Sequence, residues 1–147
     1  MHHTIWVIVA NSSLCRFYLY EKNKEISLLK EIVHPENKLK KSDYLTSDKP
    51  GHYKTDAASG SAYESHTDPK KVAIDNFARE IAKALQHGRT NNEYQKLIII
   101  IPPTMHGLLF QHLDKHVKNL ISHNIQKDVI HLSHDKLLSL LHSEAYG

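Results

Sequence analysis

A three-layer α/β domain with a mixed sheet is the fold class this sequence predicts, in the order β-β-β-loop-α-β-α-β-α. Three observations lead there. The first third holds short apolar or alternating runs separated by polar turns, the pattern of an antiparallel meander. The second half alternates helix-period segments with short aliphatic runs, the pattern of α/β crossovers. Between them lies a polar stretch, residues 34–68, with almost no apolar periodicity.

Each element has its own reason. Ile5 to Ala10 is a short, continuous, β-branched run and reads as a buried strand. Asn11-Ser12-Ser13 is a turn. Cys15, Phe17 and Leu19 then alternate with Arg16, Tyr18 and Tyr20, which predicts a half-buried second strand. Lys22-Asn23-Lys24 is a second polar turn, and Ile26-Ser27-Leu28 leads into a third strand, Leu29 to Val33, that stops before His34-Pro35.

Beyond the polar stretch, Asp68-Pro69 is a helix start, since aspartate caps and proline fits the first helical position. Ile74, Phe77, Ala78, Ile81 and Leu85 follow at helical spacing, and Gly88 is the expected stop. Leu97 to Ile101, closed by Pro102-Pro103, is apolar on both faces and predicts a central strand with helices above and below. A second helix is expected from about Met105 to Ile121, with Leu109, Leu113, Val117 and Leu120 inward. Val129 to Leu132 reads as the last strand, and Ser133 as the cap of a short helix over Leu137 to Leu141.

The 147 residues suffice for one domain, 1–147, with a real core, and no repeat or linker divides them. A chain 40% hydrophobic and 24% charged belongs to neither a disordered nor a fibrous class. The net charge of +3 permits a nucleic-acid partner without demanding one, and the 13 histidines would add positive charge in acid. A single cysteine, Cys15, allows no internal disulfide and suits a reducing cytosol, so a cytoplasmic location is expected. Ile5 to Ala10 is too short to span a membrane and has no basic flank of the kind that opens a signal peptide.

The polar stretch is where binding residues are expected, because long loops in compact domains usually carry function. Lys49, His52, Tyr53, Lys54, Ser61, Tyr63 and His66, with Lys70 and Lys71 at the helix start, compose a candidate surface for phosphates and exposed bases. The alternative is that Tyr63 and His66 pack back on the body while Thr67-Asp68 only caps the helix. The same stretch carries Glu36, Asp43, Asp48, Asp56, Glu64 and Asp68, so its charge is mixed.

Several strings together carry a family likeness: Trp6-Val7-x-Val9-Ala10-Asn11-Ser12-Ser13, His34-Pro35-Glu36, Ser47-Asp48-Lys49-Pro50-Gly51, Ser61-Ala62-Tyr63-Glu64-x-His66-Thr67-Asp68-Pro69-Lys70, Ile100-x-Pro102-Pro103 and Lys127-Asp128-x-x-His131-Leu132. In this order they resemble the bacterial host attachment protein family over nearly the whole chain. That family in turn resembles the middle domain of archaeal and eukaryotic peptide-chain release factors and of the ribosome-rescue protein Pelota. The resemblance implies an RNase H-like fold and a partner at the ribosome or another structured RNA. Where release factors carry Gly-Gly-Gln before Ser-Ala, this chain reads Ala58-Ser59-Gly60-Ser61-Ala62, without the glutamine that peptide release requires. A non-catalytic binding module without cofactor is therefore expected, with RNA rather than DNA as partner; the alternative is a protein-interaction factor in attachment to host cells.

Two other chemistries have a sequence signal. His112 and His116 are four apart, with His123 on nearly the same azimuth of one continuous helix, which is a metal-ligand spacing. The string between them lacks the glutamate of a zincin motif, and a metal site needs three or four converging ligands with a second shell. Cys15, inside a strand, reads as a small buried hydrophobe rather than a nucleophile.

Overall fold

The computed structural model describes residues 4–21, 25–34 and 68–145. Among them the order is β1 (Ile5–Ala10), β2 (Leu14–Tyr20), β3 (Ile26–Val33), α1 (Pro69–Thr90), β4 (Lys96–Ile100), α2 (Pro103–His112), α3 (Lys115–Lys118), β5 (Ile121–Ile125) and α4 (His134–Ala145). The five strands form one mixed sheet in the order β3-β2-β1-β4-β5. The first three are an antiparallel meander, and β1, β4 and β5 run parallel.

The Asn11 side chain closes the first turn, its Oδ1 accepting from the backbone N–H of Ser13 and of Leu14 at 2.8 and 3.0 Å. β3 is longer than the run from Leu29 predicts, because Ile26, Ser27 and Leu28 already pair with Tyr20, Leu19 and Tyr18. Phe17 lies opposite Lys30 and Tyr18 opposite Leu28, so Leu29 is the extra residue of a bulge.

Period-2 alternation in β1 and β4 divides the core into two layers. Trp6, Ile8, Ala10, Leu97 and Ile99 face α1, α2 and α3, where Phe77, Ile81, Leu85, Met105, Leu109 and Val117 meet them. Val7, Val9, Ile98 and Ile100 face the other way, with Tyr20, Ile26, Ile125, Leu137 and Leu141. Helices therefore cover both faces, as the continuous apolar run in β4 requires. β2 also serves both layers. Cys15 and Phe17 enter the first, while Tyr20 is buried in the second with Tyr18 packed against it.

α1 starts where expected. Asp68 Oδ1 accepts from the Lys70 N–H at 3.0 Å, and Pro69 fills the first helical position. The expected stop at Gly88 is a correction. The helix runs to Thr90, and the left-handed residue after it is Asn92, at φ 56°. Gly88 is instead a close-packing position, because a Cβ there would stand 2.7 Å from Trp6 Cη2 and 3.0 Å from Tyr94 Cε1.

The segment from Met105 to Ile121 also differs from expectation. α2 ends at His112, Leu113 and Asp114 are extended, and Asp114 restarts the chain as α3 by accepting from the His116 N–H. Leu113 and Val117 still reach the core, so the apolar period survives a break in the helix. The last strand is Ile121–Ile125, not Val129 to Leu132. Val129 and Ile130 lie in a turn packed on the second layer, where the Leu132 N–H donates to the Val129 carbonyl. Arg16 holds that turn from β2, its guanidinium donating to the Ile130 carbonyl at 3.1 Å and to Glu31 at 2.9 Å. α4 extends the short helix expected at 137–141 in both directions, with Ser133 Oγ accepting from the Lys136 N–H.

Candidate functional site

Most of the predicted surface, Lys49, His52, Tyr53, Lys54, Ser61, Tyr63 and His66, lies outside the described residues. Lys70 and Lys71 are described, both exposed in the first turn of α1. Residues 68–72 are all exposed, and the first buried residue of the helix is Phe77. Phe77 packs on His34 with ring centroids 5.2 Å apart. His34 follows β3, and its N–H donates to the Ser13 carbonyl beside the end of β1. So α1 begins near the carboxyl end of β1, the rim where ligands commonly sit in open α/β sheets.

The histidine stripe is not a stripe. The break at Leu113 and Asp114 separates His112 from His116, and His123 stands on β5. His112 is taken up by Asp75, with Nε2 and Oδ1 2.8 Å apart, and Asp75 also accepts from Arg79 at 3.2 Å. The hydrogen bond to His112, then that to Arg79, holds the Asp75 carboxyl below the usual carboxylate range. Among the described residues no three His, Cys, Asp or Glu side chains converge as a metal site requires. Cys15 is fully buried, and desolvation pushes its thiol well above the ordinary cysteine range, which suppresses the thiolate.

A surface that the sequence reading missed lies beside the outermost described strand. Among the described residues, Thr4, Trp6, Leu19, Leu29, Lys30 and Glu93 line an apolar groove of about 410 Å³ on the β1–β2–β3 side of the sheet. Trp6 forms its floor, stacked on Tyr94 at 4.7 Å and edge-on to Phe17 at 5.8 Å. The Lys30 ammonium lies over both rings, 5.6 Å from Trp6 and 5.0 Å from Phe17, in cation–π geometry. Leu29, placed by the bulge, and Leu28 are 45% and 52% exposed, an unusual concentration of large apolar side chains in water. The adjacent leucines were the available signal, since neighbours on a strand point to opposite faces and one pair cannot share one core.

A family model described as "Protein required for attachment to host cells" matches residues 6–141. An uncharacterized protein of Rickettsia prowazekii (strain Madrid E) is 34% identical over 80 residues, a match spanning 53% of this chain and 53% of that protein. The similarity thus runs over about half the length of this curated relative.

Proposed function

We propose that this chain, which belongs to the family of proteins required for attachment to host cells, is a non-catalytic binding module that serves attachment by engaging a protein partner. The observation that carries the reading is the groove over Trp6 with exposed Leu29 at its border. Exposed apolar side chains beside a concave apolar floor suit side-chain docking by a partner. Lys30 and the bulge at Leu29 break the flat edge that would invite indiscriminate strand pairing.

The test is attachment to host cells by an organism lacking this protein and complemented with the wild type or with the variant Leu29→Glu. The variant should fold, because the Leu29 side chain is 45% exposed, and should fail to restore attachment. Full restoration would overturn the reading.

A second reading, engagement of the ribosome or a structured RNA, is favoured by Lys70 and Lys71. They stand in a first helical turn that holds no acidic residue, where cations oppose the helix dipole unless an anion is met. The likeness of Gly60-Ser61-Ala62 to the release-factor middle domain, with its RNase H-like fold, supports it as well. Replacing Lys49, Lys54, Lys70 and Lys71 by alanine should then weaken RNA binding across sequences and flatten its salt dependence. No affinity of the wild type for RNA or ribosomes at low salt would remove this reading.

A further inference from the structure

A second concavity lies just past the C-terminal end of α1, on the far side of Tyr94 from Trp6 and the groove. It has a volume of about 330 Å³, and its walls include Arg89, Asn92, Gln95, His116 and Asn119 over a base of Tyr94 and Leu120. Among the described residues no carboxylate lines it. Arg89 belongs to the last turn of α1, and its Nε is buried without a hydrogen-bond partner. Among the described residues no acid pairs with its guanidinium.

The surrounding groups are arranged rather than incidental. The left-handed backbone at Asn92 turns the chain directly after the helix. Gln95 is fixed, its Oε1 accepting from the Thr4 N–H at 2.7 Å and its Nε2 reaching the Asn92 carbonyl. Tyr94 is fixed by its hydroxyl, which donates to the Leu85 carbonyl at 2.6 Å. The carbonyls of His87, Gly88 and Arg89 accept from Asn91, Glu93 and Asn92, so the helix end does not consume the arginine. The side chains of Asn92, His116 and Asn119, by contrast, make no hydrogen bond to another described side chain or backbone group across the concavity.

We infer that this concavity binds a compact oxyanion, phosphate or carboxylate, carried on a small polyhydroxylated molecule. Arg89 is half-buried, its Nε–H shielded from water without an acceptor, and the planar fork of its guanidinium matches two oxygens of a carboxylate or phosphate. Asn92, His116 and Asn119 supply the further polar contacts that a hydroxylated body requires. The volume falls at the lower end of the range for small-molecule sites, about 300–1,000 Å³. Its lining is distinct from that of the groove, although Tyr94 stacks on Trp6 between the two, and the inference does not rest on the proposed function.

The experiment is titration of the full chain, followed by amide and arginine side-chain NMR, with inorganic phosphate, glucose 6-phosphate, N-acetylneuraminate and uncharged glucose. Saturable shifts confined to Arg89, Asn92, Gln95, His116 and Asn119 are expected for the anions and none for glucose. Tighter binding of glucose 6-phosphate identifies a phosphorylated ligand, and tighter binding of N-acetylneuraminate a sugar acid. Arg89→Gln should weaken binding about tenfold or more. His116→Gln and Asn119→Ala, on exposed positions of a short helix, should weaken it less and leave the fold intact, which keeps the test decisive if Arg89→Gln unfolds. Absence of saturable anion binding, equal binding of glucose, or affinity unchanged in both α3 variants would overturn the inference.

Discussion

At the scale of single residues, the position most sharply constrained is Gly88. Its place in α1 is not required by backbone conformation but by the approach of Trp6 and Tyr94. A helix interior ordinarily favours alanine over glycine, by about 1 kcal/mol. Here contact should reverse the sign, since a methyl group would sit against the rigid indole at 2.7 and 2.9 Å. Gly88→Ala should cost about 1–3 kcal/mol, the usual price of overpacking, read as a lowered denaturation midpoint without change in slope. Cys15 makes a different prediction. Its folded thiol is raised by burial, so the stability it contributes is complete below the unfolded value of about 8.5 and is lost as pH rises beyond it. Cys15→Ala should flatten the alkaline limb of the stability profile, and iodoacetamide should leave the native thiol unmodified while labelling it in denaturant. Rapid native labelling would contradict the burial.

At the scale of elements, α1 depends on its cap and on its tie to α2. Asp68→Ala removes the acceptor for the Lys70 N–H and should cost about 1 kcal/mol, measured by denaturant unfolding. Asp75 joins α1 to α2 through His112, and its folded carboxyl titrates lower than the unfolded one. The stability it contributes is therefore present above about pH 4 and is lost as pH falls through the lower folded value. The gap between wild type and Asp75→Asn should close in that acid window, as followed by thermal melts across pH. These elements also show what the sequence could disclose. β1, β4 and α1 were legible because strong periods coincide with clear boundaries at Asn11, Asp68-Pro69 and Pro102-Pro103. β5 was not, because Ile121-Ser122-His123-Asn124-Ile125 has only two aliphatics at its ends and continues the period of α2. Val129 to Leu132 has the composition of a strand, yet Arg16 and the second core layer hold it as a turn. The groove was legible only as the odd pair Leu28-Leu29, and the concavity around Arg89 not at all, because its residues are assembled from the end of α1, the turn after it, and α3. The family likeness seen in the strand and loop strings agrees with the family model over residues 6–141.

At the scale of the whole molecule, stability should fall off across the sheet from its centre. β1 lies between β2 and β4, and its residues from Trp6 to Ala10 are buried between two layers of core. β4 is likewise buried from Leu97 to Ile100. β3 is outermost among the described strands, and most of its side chains are exposed. Opening β3 exposes little apolar surface, whereas opening β1 separates both core layers at once. Native-state amide exchange should therefore place Val7 to Val9 and Ile98 to Ile100 near the free energy of global unfolding, and the β3 amides well below it. The same measurement bears on the groove. A partner seated over Trp6 would also cover Leu29 and slow exchange in β3 while leaving β1 and β4 unchanged, because they already open only globally. Protection of β3 equal to that of β1 in the isolated protein at low concentration would mean that the edge is already covered, and the groove could not then be the surface that receives the partner.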